Sequence, residues 1–220
     1  MSWNDVLFLH WPVYAEVVAE HLPSELDVDC LNGKAFLGVV AFTMSDLTWD
    51  TPVTPSSFGL EFVELNLRTY VRGPEERPGV YFFSLDADHR VAVLTAKYGL
   101  GLPYVQADIG YDSHPGSFQL DSQRPAGTAA FSAEWSPSSP VAEKSEKQVF
   151  LTERYHFFSM RGTTLLRGRI HHGEWPLQKA DVSVFQNDLF TANSVLEPSG
   201  DPSVLFSDGV RVRADLPARL

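Results

Sequence analysis

Cys30 is the only cysteine in the chain. Without a second thiol there is no internal disulfide and no cysteine-based metal cluster, which fits a reducing compartment. Asp27 and Asp29 just before it disfavour a thiolate, so Cys30 is not read as a nucleophile. Positive charge is scarce as well: 17 Lys and Arg stand against 28 Asp and Glu, for a formal net charge of −11. A surface of that sign repels phosphate backbones and anionic headgroups, so neither nucleic acid nor membrane is expected as a partner. Lysine amounts to Lys34, Lys97, Lys144, Lys147 and Lys179. No apolar run approaches the ~18 residues that suggest a membrane span. The opening MSWNDVLFLHWPV has no basic n-region and is broken by His10 and Pro12, so no signal peptide is read. A cytoplasmic location is the resulting expectation. The zinc-protease, nucleophile-elbow, phosphate-loop and dinucleotide motifs are all missing. His171 and His172 are adjacent and would face opposite sides of a strand. No metal and no cofactor are expected.

What the chain does have is apolar and aromatic mass, 44% and 12% of 220 residues, enough for a substantial core. Short runs of β-branched and aromatic residues alternate with Gly, Pro, Asp and Ser clusters, the pattern of a mainly β protein with a few short helices. Strands are expected at 6–10, 35–44, 63–72, 80–85, 104–110, 117–120, 127–135, 149–160, 163–171 and 204–214. Helices are expected at 12–21, where Pro12 suits a first turn, and at 88–98, with Asp88 as N-cap; a third is read at 182–191. Residues 48–59 and 137–147 read as loops. Residues 1–220 are taken as one domain.

Glu64-Leu65-Asn66-Leu67-Arg68-Thr69-Tyr70-Val71 is the most informative stretch. Alternation puts Glu64, Asn66, Arg68 and Tyr70 on one face. That face is either a solvated sheet surface or the lining of a cavity, where a carboxylate, amide, guanidinium and phenol would converge on a small polar ligand. In the second case Arg68 would hold a carboxylate and Glu64 would orient it or exchange a proton. A second polar group comprises Glu153 and Tyr155, with Arg167, Arg169, His171, His172 and Trp175 following. It reads equally as cross-strand charge pairing or as part of a site. His10, in an apolar run, reads as a hydrogen-bonded core histidine.

Six ordered segments carry a resemblance over nearly the whole chain. They are Phe8-Leu9-His10-Trp11-Pro12, the Glu64–Tyr70 strand, Phe83-Ser84-Leu85-Asp86, Leu102-Pro103-Tyr104, Thr152-Glu153-Arg154-Tyr155 and His172-Gly173-Glu174-Trp175-Pro176-Leu177. Together they resemble the YqjF-like family of the acetoacetate-decarboxylase-like superfamily. The resemblance implies a cone-shaped β-barrel wrapped by additional antiparallel sheet, with a pocket inside the cone. It also implies a departure. Where the decarboxylases carry a Pro-Lys-Lys segment whose first lysine forms a Schiff base, this chain reads Pro103-Tyr104-Val105.

Three functional readings follow. The first is a small-molecule site without Schiff-base chemistry, in which Tyr104, Glu64 and Glu153 transfer protons. Arg68, Asn66, Tyr70, Tyr155, His172 and Trp175 would bind a small carboxylate or carbonyl compound, as a lyase or isomerase would. The second is a binding protein that kept the cavity without the chemistry. The third is a structural or homo-oligomeric module.

Overall fold

The computed structural model describes residues 1–50, 55–57 and 60–220. The first half of the chain forms β1 (Ser2–Val13), β2 (Asp27–Val28), β3 (Ala35–Ser45), β4 (Thr48–Asp50), β5 (Pro55–Ser57), β6 (Phe62–Gly73), β7 (Arg77–Ala87) and β8 (Tyr104–Gln106). The second half forms β9 (Asp108–His114), β10 (Ser117–Gln123), β11 (Ala130–Pro140), β12 (His156–Arg161), β13 (Thr164–His172), β14 (Leu177–Asn187), β15 (Ser203–Ala214) and β16 (Ala218–Arg219). Four short helices interrupt them: α1 (Ala15–Ala19), α2 (Arg90–Thr95), α3 (Glu146–Thr152) and α4 (Leu189–Ala192).

Hydrogen bonding runs in the order β13, β12, β7, β6, β3, β1, β15, and β15 pairs back to β13. The path therefore closes on itself as a ring of seven strands. The closing seam is short: Ile170 opposite Ala214, His171 opposite Arg213 and His172 opposite Val212. From β15 the sheet continues outward through β14, β11, β10 and β9 and covers part of the ring.

This arrangement explains why β1 and β3 read as nearly unbroken apolar runs: both of their faces are buried. Outward residues such as Leu7, Leu9, Leu37, Val39, Leu65 and Leu67 pack with Phe131, Ala133 and Trp135 of β11 and with α4. Inward residues such as Phe8, Phe36, Val40 and Phe42 pack with Leu85, Phe157, Ile170 and Leu205 from the rest of the ring. Burying a large side chain contributes about 1.5–3 kcal/mol, so each of these layers is a substantial share of stability.

The structure differs from the sequence reading in several places. Residues 149–160 are not one strand. Ser145 and Gln148 form a reciprocal capping box that starts α3, and β12 begins only at His156. Residues 182–187 belong to β14 rather than a helix; Val182 and Val184, two apart, both face the outer core. Pro12 lies within β1, which runs on to Val13, instead of opening a helix, because it pairs with Phe36 of β3. The second helix is capped by His89, whose Nδ1 accepts from Ala92 N–H, rather than by Asp88. Of the loop expected at 48–59, residues 51–54, 58 and 59 lie outside the described residues, while β4 and β5 pair antiparallel.

Candidate functional site

The polar face of β6 points into the ring. Glu64, Asn66 and Tyr70 are buried and Arg68 is half-buried, while Leu65 and Leu67 face the outer core. The strand's alternation and the ring's closure together force this. Turning Leu65 and Leu67 outward onto β11 and α4 leaves their neighbours no other side.

Tyr104 meets this face from β8, which pairs parallel with β7 so that Tyr104 lies opposite Leu85. Its hydroxyl donates to Glu64 Oε2 at 2.6 Å, and Asn66 Nδ2 donates to Glu64 Oε1 at 3.2 Å. Burial raises the Glu64 carboxyl to about 7, against the opposing pull of the Tyr104 and Asn66 bonds and the Arg68 charge. Burial and the adjacent Glu64 push the Tyr104 phenol well above its ordinary value. Glu64 is thus a buried acid that exchanges its proton near neutral pH.

Further along the same face, Arg68 lies 5.9 Å from the Phe8 ring centroid and 5.8 Å from that of Tyr70. Its Nε is buried and has no hydrogen-bond partner. Among the described residues, no ion pair includes Arg68. Tyr70 is committed internally: its hydroxyl donates to Leu151 O at 2.8 Å and lies 2.6 Å from His10 Nε2. His10 is fully buried, and its pKa is held well below the ordinary value by burial first, then by the charges of Arg68 and Lys147.

The second polar group gathers beside this one. Glu153, Tyr155 and His172 do not share a strand pair, because α3 and the turn after it carry the first two. Glu153 accepts from Lys144 Nζ at 2.6 Å, from the Tyr155 hydroxyl at 2.7 Å and from Trp175 N–H at 3.2 Å. Burial works to raise its pKa, but these donors prevail and hold it below the usual range. The Tyr155 and His172 rings lie 4.7 Å apart, and His172 lies 5.1 Å from Trp175. Trp175 is buried edge-on against Phe8 at 5.2 Å, inside the ring, and so connects the two groups. A paired carboxylate with three donors is a structural anchor, and Glu153 is less suited to proton transfer than Glu64.

Two buried ion pairs escaped the sequence reading. Asp29 holds Arg154 at 2.7 Å and Arg72 at 2.8 Å. Arg154 also donates to Phe150 O and so fixes the end of α3 over the ring. Asp86 and Arg124 form a two-point pair at 2.7 Å. Neither pair is local in sequence, so no spacing signal marks it. Of the lysines, Lys34, Lys97 and Lys179 are exposed. Lys144 pairs with Glu153, and Lys147 Nζ donates to Ser203 Oγ from a position 5.6 Å over the Phe36 ring. Two shallow clefts of about 380 and 500 Å³ lie elsewhere, on the outer sheet and beside Arg124–Gly127; neither is lined by Glu64, Arg68 or Tyr104. Among the described residues, no three His, Cys, Asp or Glu side chains are grouped to hold a metal, and no helix is long and apolar enough to cross a membrane.

Comparison with known proteins fits this architecture. Residues 1–211 match the family model DUF2071, described as an uncharacterized conserved protein. The uncharacterized protein YqjF of Bacillus subtilis (strain 168) is 40% identical over 210 residues, which cover 94% of this chain and 86% of that protein. Among solved structures, the acetoacetate decarboxylase of Legionella pneumophila superposes with a TM-score of 0.70 at 13% identity, covering 100% of this chain and 86% of that one. The enduracididine biosynthesis enzyme MppR, in a structure complexed with pyruvate, gives 0.64 at 14% identity, covering 97% and 90%. Identities this low show a shared fold and nothing more, and the fold is acetoacetate-decarboxylase-like.

Proposed function

The chain belongs to the DUF2071 family, and on that premise we propose that the interior of its ring binds a small carboxylate or carbonyl compound and moves a proton on it. The observation that carries this reading is Arg68, a guanidinium inside the ring whose Nε has no partner. Leaving a buried donor unmade costs about 1–3 kcal/mol, more for a charged group, so such a residue is kept where a ligand completes it. A carboxylate fits its forked donors.

Glu64 supplies the chemistry. With a pKa of about 7 it is part acid and part carboxylate at neutral pH, the condition for general acid–base work. Four residues of strand set Glu64 and Arg68 ~13 Å apart at Cα, and both side chains reach inward over that span. A ligand of a few carbons, anchored by its carboxylate on Arg68, would bring its α-carbon or enol oxygen toward Glu64. Tyr104, hydrogen-bonded to Glu64, is placed to donate to an oxyanion as the carboxyl takes up its proton. Such a reaction is an isomerisation or a lyase step without an amine intermediate. Tyr104 stands where a Schiff-base lysine would otherwise follow the proline, and a phenol cannot form an imine.

A thermal-shift panel of small carboxylates and carbonyl compounds tests this. A carboxylate should raise the unfolding midpoint of the wild-type chain and leave Arg68→Ala unmoved. If no compound in a broad panel shifts the midpoint, or if Arg68→Ala responds like wild type, the proposal is wrong.

A further inference from the structure

Strand register places four interior positions in one row. Ser203 of β15 lies opposite His10 of β1, His10 opposite Gly38 of β3, and Gly38 opposite Arg68 of β6. Gly38 is the gap in that row. A Cβ there would sit 3.1 Å from His10 Cδ2, 3.3 Å from His10 Nε2 and 3.5 Å from Arg68 Cγ. The imidazole and the arginine stem therefore lean over the glycine from its two sides. The Cδ2–Nε2 edge of His10 faces Gly38, so Nδ1, the atom across the five-membered ring, points away from β3, and β15 is the other strand paired with β1. There Lys147, reaching over from α3, donates to Ser203 Oγ.

The hydrogen bonds fix the tautomer. Leu151 O is a carbonyl and can only accept, so the single proton of the Tyr70 hydroxyl goes to it. The Tyr70 oxygen must then accept from His10, which puts the imidazole proton on Nε2. Nδ1 is left as a bare lone pair, fully buried and without a partner. With burial and two cations opposing protonation, it is a poor base but a good acceptor. On its own side stands an ammonium that donates. A hydroxyl answers both: its oxygen accepts from Lys147 and its hydrogen is donated to His10 Nδ1.

We infer that His10 Nδ1, Lys147 and Ser203 form a hydroxyl subsite of the ring, so that the ligand is a hydroxy acid whose hydroxyl stands well away from the carboxylate that Arg68 holds. This rests on the reading of Arg68 as the carboxylate anchor. Because an imidazole separates Nδ1 from the Arg68 side of the row, a hydroxyl on carbon 3 or 4 fits better than one on carbon 2.

Calorimetric titration with butyrate and with 2-, 3- and 4-hydroxybutyrate tests the subsite. For the wild-type chain, 3- or 4-hydroxybutyrate should bind about tenfold more tightly than butyrate, the effect of satisfying one buried acceptor. In His10→Gln the amide can still donate to Tyr70 from the Nε2 position but offers nothing at Nδ1, so the preference should fall to about onefold. If hydroxylated and plain acids bind alike, and Arg68→Ala weakens both, the hydroxyl subsite is refuted while the carboxylate site stands. If butyrate and all three hydroxybutyrates fail to bind, or bind unaffected by Arg68→Ala, the underlying reading falls as well. Nitrogen-15 NMR of the unsubstituted protein gives an independent check. The Nε2–H tautomer is expected, with the Nδ1 resonance moving on addition of hydroxybutyrate but not of butyrate. A protonated Nδ1 in the free protein overturns the inference.

Discussion

Glu64→Gln should change how stability depends on pH more than it changes stability itself. Glu64 is 3% exposed, and burial lifts its pKa from 4.5 to about 7. Between those two values the folded protein keeps a proton that the unfolded chain has released. Unfolding free energy therefore falls as pH rises through the window, and above about 7 the loss is complete. The separation of the two values, at 1.36 kcal/mol per pH unit, makes the loss roughly 3 kcal/mol. Glutamine cannot ionise, so the variant should lack this decline. It can still accept from Tyr104 but loses the bond from Asn66, a cost of about 1 kcal/mol that does not vary with pH. His10 titrates with the opposite sign. Its folded pKa is depressed, so its contribution is lost as pH falls below its ordinary 6.5. The informative quantity is therefore the difference between wild type and variant, from urea unfolding at half-unit steps from pH 4.5 to 8. That difference should move by roughly 3 kcal/mol in favour of the variant across the window. A constant difference, or one that moves toward the wild type with rising pH, refutes the buried-acid reading of Glu64.

Two further substitutions probe the frame around the site. Arg154→Ala leaves Asp29, 2% exposed, with only the outer Arg72, and should cost about 3–5 kcal/mol by chemical denaturation. Arg72→Ala, which removes a side chain 45% exposed, should cost less than about 1 kcal/mol; equal losses would show that Asp29 is not the buried hub. Gly38→Ala pushes a methyl against His10, which Tyr70 pins in place, and should destabilise by about 1–3 kcal/mol. A wild-type urea midpoint in that variant would mean the row has slack.

The sequence made the Glu64–Tyr70 face legible because alternation is a local rule and Leu65 and Leu67 obey it. It could not say whether that face met solvent or the inside of a closed sheet. That was decided by the pairing of β13 with β15, far away in the chain. His10 is the hydrogen-bonded core histidine that the sequence suggests, but the direction it faces was hidden for a related reason. In β1 both faces are buried, so Val6 to Trp11 reads as one apolar run and gives no hint that Phe8 and His10 look inward while Leu7 and Leu9 look out. The signal for α3 was present in Ser145 and Gln148, but the β-branched and aromatic residues after them outweighed it. Asp29 and Arg154, joined across most of the chain, left no sequence trace. The acetoacetate-decarboxylase-like fold was legible from ordered segments rather than from any single one.

The pairing of β1 with β15 also has a temporal side. One edge of β1 is covered by β3 soon after both are made, but its other edge waits for residues 203–211. At ribosomal speeds of 5–20 residues per second, that edge stays open for roughly 10–40 s. Until β15 arrives the ring is an open sheet, its inner face wet and Glu64 an ordinary carboxylate. The acid with its unusual proton affinity is thus assembled last, and a nascent chain carries the residues of the site without its chemistry.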